Sequence, residues 1–152
     1  MSLGTELVEI AMQMGGAEAP TSVSSSLDGR TASATLANWS PLAVSVRELG
    51  VTGVGSIGDL RQCATDLASR LAYLSEPIRV LELDTLARQV QLRSFPPKSI
   101  ADGVEYFEIQ LSQSGAVTLR RYRQVTGQSR VEVPATMTLE TLGRAIDDLA
   151  TT

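Results

Sequence analysis

Arg120-Arg121-Tyr122-Arg123 is the densest set of chemistry-bearing side chains in the sequence. Arginines interleaved with an aromatic ring suit phosphate contacts and base stacking, which makes Arg120, Tyr122 and Arg123 a candidate nucleic-acid or partner contact. Carboxylates come close together at Glu82/Asp84, Glu105/Glu108 and Asp147/Asp148. Such pairs ligate a cation or share acid–base work only when their surroundings perturb them. No third ligand accompanies Glu82 and Asp84, so a solvated strand face is the expectation there. Asp147 and Asp148 fall near a helix C-terminus, where negative charge is unfavourable, and read as exposed tail residues. Cys63 sits between Leu60 and Leu67 and reads as a small buried hydrophobe. The chain has no His and one Cys. Nucleophile–His arrangements, His-bound metals and thiolate zinc sites are thereby excluded. What remains for catalysis is carboxylates, Arg, Lys98, Tyr and backbone dipoles. No metal and no catalytic residue is expected.

Gly53, Gly55 and Gly58, with Ser56 between them, spell G-x-G-x-x-G in "GVGSIG". This stretch resembles the glycine fingerprint of dinucleotide-binding folds. In that fingerprint glycines let the backbone approach a pyrophosphate at a helix N-terminus, and an acid beyond the next strand binds the ribose. The resemblance implies a cofactor-binding turn at Gly53, Gly55, Ser56 and Gly58. The flanking pattern points elsewhere. The preceding "VRELGVT" interrupts what should be a buried apolar strand. The chain after Asp84 reads as hairpins rather than further β-α-β units. A glycine-rich entry to a capped helix is the expectation, and no cofactor is assigned.

The 152 residues carry a net charge of −4, enough chain for one core and the wrong sign for non-specific nucleic-acid binding. Residues 78–133 are relatively basic, with eight basic and six acidic residues; the remainder carries five and eleven. No apolar run approaches the ~20 residues of a membrane span. Acids near the N-terminus argue against a secretory leader, and the lone Cys fits a reducing compartment. A cytoplasmic protein is expected.

The elements that must hold these residues follow from periodicity. Residues 3–14 predict a short amphipathic helix stopped by Gly15-Gly16. The Ser/Ala/Gly-rich stretch to residue 41 reads as a loose arm, with a strand at 31–37 as the alternative and Trp39 as an anchor. Residues 42–49 fit either a strand or a helix. A central helix is predicted over 56–75, with Ser56 as its cap and Ile57, Leu60, Ala64, Leu67, Leu71 and Leu74 as its apolar stripe. Two hairpins follow. The first pairs Leu83 with Val90 and Leu81 with Leu92. The second turns at Gln113-Ser114-Gly115 and pairs Leu111 with Val117, Ile109 with Leu119, Glu108 with Arg120 and Tyr106 with Tyr122. A short strand "RVEV" and a helix over 138–150, capped by Thr138, close the chain.

The fold expected is α+β. It has one antiparallel sheet of four to five strands over about 78–133, packed on one face by the central and C-terminal helices. A short N-terminal helix rides on the arm. Residues 1–41 form the helix-plus-arm segment and 42–152 a single domain. The function expected is a non-catalytic interaction or adaptor module, homodimeric, with Leu67 and Leu71 or the Arg120, Tyr122, Arg123 sheet face as contact residues. A small-ligand or nucleotide site at Gly53–Gly58 is the first alternative. Nucleic-acid contact through Arg120–Arg123 is the second.

Overall fold

A computed structural model of the chain describes residues 2–14, 20–40, 42–53 and 55–151. The chain begins with α1 (Leu3–Gln13), capped by the Ser2 hydroxyl, which accepts from the Thr5 N–H. The Gly15-Gly16 stop lies outside the described residues. Then come β1 (Thr21–Leu27), β2 (Arg30–Trp39) and β3 (Val44–Thr52). After α2 (Leu60–Arg70) follow β4 (Ile78–Asp84), β5 (Gln89–Ser94), β6 (Lys98–Ile100), β7 (Gly103–Ser112) and β8 (Val117–Val125). Two short strands, β9 (Val131–Val133) and β10 (Ala135–Met137), lead into α3 (Leu139–Ala150).

The described strands form one ten-stranded antiparallel sheet in the order β1-β2-β3-β8-β7-β5-β4. β9 and β10 add to β8 and β3, and β6 adds to β7. This corrects the expectation of four to five strands, and of a loose arm over 21–39. β1 and β2 come from that Ser/Ala/Thr stretch, β2 where the alternative strand at 31–37 was read, and β3, β6 and β10 complete the count. Asp28 and Gly29 both have positive φ, which suits a tight two-residue hairpin turn. The alternation then puts Val23, Ala32, Ala34 and Leu36 inward and their neighbours outward. Small inward residues suffice because α1 lies directly over β1 and β2. Trp39 anchors the end of β2: its indole N–H donates to the Ala11 carbonyl, 3.1 Å away, at the last turn of α1. Of residues 42–49, ambiguous in period, 44–49 belong to strand β3.

One apolar cluster unites all three helices with the sheet. Leu7, Leu67, Leu142 and Ile146 come from the helices; Leu49, Leu92, Ile109 and Leu119 come from one face of β3, β5, β7 and β8. The second hairpin has the register predicted for all four pairs, and Gly115 takes positive φ at its turn. The first hairpin differs. A β-bulge between Val80 and Glu82 keeps Leu83 opposite Val90 but sets Val80, not Leu81, opposite Leu92. Leu81 is turned outward and left 53% exposed.

α2 is shorter than the predicted span of 56–75, and its cap is Asp59 rather than Ser56. The Asp59 carboxylate accepts from the Gln62 N–H at 3.0 Å. Residues 55–58 before it are not helical, and the Ile57 N–H donates to the Gln113 carbonyl instead. α3 starts as predicted, with the Thr138 hydroxyl accepting from the Thr141 N–H. Gly4 and Gly143 let α1 and α3 touch backbone to backbone; a Cβ on Gly4 would collide with the Gly143 carbonyl.

Candidate functional site

The sheet face away from the helices carries a row of charges that runs across five strands. Pairing sets Glu48 opposite Arg120, Arg120 opposite Glu108, Glu108 opposite Arg93, and Arg93 opposite Arg79. The signs alternate until the last two positions, where arginines meet on β5 and the edge strand β4. The register explains this. Without the bulge Arg79 would face Ser94; the extra residue brings it opposite Arg93. Like charges directly opposed in a sheet destabilise it.

Two carboxylates in this row are held by arginines. Glu48 binds Arg120 at 2.6 Å. Glu108, nearly buried, accepts from Arg93 at 3.1 Å and from Arg130 at 2.5 Å. Burial works to raise the Glu108 carboxyl, but hydrogen bonds and charge from Arg130 and Arg93 prevail and hold it below the usual range. Arg93 also lies over the Tyr106 ring and Arg130 over the Tyr122 ring, at 4.6 and 3.9 Å from the centroids. Tyr106 and Tyr122 pack with ring centroids 6.0 Å apart.

Beside this row a groove of about 450 Å³ opens next to the β4 edge. Its apolar lining includes Leu81, Phe95, Pro97, Val104 and Tyr106, with Arg79 and Arg93 alongside. Phe95 is 52% exposed, with the Arg79 guanidinium 4.8 Å from its ring centroid. Arg79 makes no ion pair among the described residues. The Nε of Arg93 is buried with no hydrogen-bond partner. Concave, mostly apolar surface with a few polar groups is the usual character of a binding site.

The predicted contact residues are dispersed. Arg120 and Tyr122 share the outer face, whereas Arg123 lies on the opposite parity and pairs with Glu105 at 2.8 Å. Arg121 is buried between Glu76 and Glu105, at 2.8 and 3.3 Å. Ser94 ties this network to the backbone, donating to Glu76 and accepting from the Phe107 N–H. Burial works against ionised Glu105, yet bonds from Arg123 and Arg121 lower its pKa. Glu108 and Arg120 stand opposite each other as predicted, but Arg120 binds Glu48, and Glu108 binds Arg93 and Arg130. Leu67 and Leu71 are fully buried in the chain's own core.

Gly53, Gly55, Ser56 and Gly58 are exposed in the loop from β3 to α2; Val54 lies outside the described residues. Gly53 and Gly55 have positive φ. A Cβ on Gly53 would strike the Gly29 carbonyl, and one on Gly115 the Gly55 carbonyl, so the loop is wedged between two hairpin turns. β3 is antiparallel to its neighbours, and α2 leads to an antiparallel edge strand, so the β-α-β frame of the fingerprint is not formed. Asp59 places its own carboxylate where a phosphate would meet the helix N-terminus.

The other carboxylates also have structural tasks. Asp84 accepts from the Leu86 and Ala87 N–H groups and closes the β4–β5 turn. Asp147 reaches from the last turn of α3 to the first turn of α1, accepting from the Gly4 N–H at 2.7 Å and the Ser2 hydroxyl at 2.8 Å. Its charge is thus set at a helix N-terminus, where it is favourable. Asp148 accepts from the Tyr73 hydroxyl at 2.7 Å; burial and that bond keep the phenol protonated. Burial also pushes the Cys63 thiol up.

Among the described residues no three Cys, Asp or Glu side chains gather as a metal site, and no helix is long and apolar enough to cross a membrane. Comparison with protein-family models, curated proteins and solved structures finds no match. Sequence reasoning missed Arg79, Leu81, Arg93 and Phe95. Phe95 before Pro96-Pro97 was a visible apolar outlier. The others depend on a bulge that no periodicity displays.

Proposed function

We propose that the protein is a non-catalytic interaction module whose working surface is the groove on the outer sheet face beside β4, β5 and β7. The observation that carries this reading is the exposure of Leu81 and Phe95, both about half accessible, around an apolar concavity with arginines on its rim. Exposed apolar surface framed by polar groups is characteristic of partner binding. Self-association through the α2 stripe is left out of the proposal, because Leu67 and Leu71 already serve the internal core. The bulge at Leu81 also bends the β4 edge, which disfavours simple strand addition and favours docking of side chains into the groove.

Panning a displayed random-peptide library on the protein tests this. The wild type enriches a peptide set, and Leu81→Asp, which is on the surface and leaves the core intact, loses it. No enrichment, or the same set retained by Leu81→Asp, overturns the reading.

A further inference from the structure

We propose that the groove accepts an extended segment of another protein in which an apolar side chain is flanked by carboxylates. This rests on the interaction reading and names the chemistry of the partner. The argument begins with the opposed arginines. Arg79 and Arg93 face each other across β4 and β5 on the outer sheet face, an unfavourable pairing in which only Arg93 has an internal counter-charge. Glu108 is the near carboxylate, and it is shared by Arg93 and Arg130. Arg79 has its ring contact with Phe95 and no ion pair among the described residues. The Nε of Arg93 is buried and unpartnered, although that nitrogen is a donor.

Arg93 and Arg130 thus share one carboxylate, and Arg79 faces Arg93 with no ion pair among the described residues, in a chain whose net charge is −4. A local excess of one sign in an otherwise oppositely charged protein is a feature of recognition rather than of solubility. A violation of sheet pairing rules that the Arg93–Glu108 pair offsets on one side only marks the same place. A carboxylate between Arg79 and Arg93 offsets their repulsion, and guanidinium groups suit it geometrically. The floor of Val104 and Tyr106, with Leu81 and Phe95 at the sides, takes the neighbouring apolar side chain. A volume of about 450 Å³ is near the lower end for ligand sites, which run ~300–1,000 Å³, and suits one or two side chains rather than a whole cofactor.

Fluorescence anisotropy with a labelled short peptide of Asp and Glu around a central Leu-Phe tests this, beside its Asn/Gln counterpart and a labelled single-stranded oligonucleotide. The acidic peptide binds most tightly, and its affinity falls as salt rises. Arg79→Glu weakens it by at least about tenfold. Arg61→Glu, exposed on α2 across the sheet, leaves it unchanged. Arg79 is exposed and the substitution removes a like-charge pairing, so the variant melts no lower than the wild type; the salt series on the wild type needs no variant at all. Equal binding of the amide peptide, tighter binding of the oligonucleotide, or no binding of the acidic peptide overturns the assignment. If library panning still yields neutral or basic peptides that Leu81→Asp loses, the interaction reading stands and only the acidic chemistry falls.

Discussion

Charged side chains in this protein are mostly spoken for, and their partners explain why several were misread from sequence. Asp147 looked misplaced at a helix C-terminus until α1 was seen to begin beside it; spacing along one helix cannot show which other helix starts there. Glu105 and Glu108 were legible as strand residues, but their arginine partners come from β5, β8 and the segment before β9. Both carboxyls have lowered pKa values in the fold. The stability they contribute is therefore complete above the unfolded carboxylate value, ~4.3, and is lost as pH falls below it toward the folded values. The urea midpoint should fall between about pH 5 and pH 3, and Glu108→Gln should make that fall shallower. At neutral pH the same substitution should cost about 1–3 kcal/mol, because two arginines lose a charged acceptor. An unchanged acid slope in Glu108→Gln would contradict this account of the row.

Elements were legible where a single period ran long enough. The second hairpin was readable to the residue because its Gly115 turn and its charged and apolar pairs agreed on one register. α1 and α3 were readable from their caps and stripes. β1 was missed and β2 read only as an alternative strand at 31–37, because Ser and Ala are weak strand formers and the stretch holds few large apolar residues. The signal that was present, Asp28-Gly29 between two alternating runs, is a strong hairpin cue. α2 was overextended because its apolar spacing continues into the turns that follow it, where Leu71 and Leu74 remain buried without being helical. Its stripe faces the sheet, so Leu67→Asp should unfold the protein rather than divide a dimer. An unpaired buried charge costs about 3–5 kcal/mol, on the order of 10 °C in melting point for a chain this size. Circular dichroism and sedimentation together check it. A fully folded variant with only a smaller mass would place Leu67 at an interface instead.

Taken whole, the molecule is a wide antiparallel sheet with its helices on one face and a mostly charged, partly apolar surface on the other. The α+β class and the split between an apolar and a polar sheet face could be read from hairpin parity. The groove could not, since it depends on one bulged residue that moves Leu81 outward and aligns Arg79 with Arg93. The glycine fingerprint shows the converse: a motif legible in sequence whose β-α-β frame is not formed and whose Gly53 packs against the Gly29 turn. The central claim is that partners dock on the outer face beside β4 and β5, and a nuclear magnetic resonance titration tests it most directly. Isotope-labelled protein is mixed with the acidic Leu-Phe peptide and its amide shifts are followed. The account predicts saturable changes concentrated at residues 79–81, 93–95 and 104–106. Changes centred on Gly53–Gly58, or none anywhere at millimolar peptide, would contradict it.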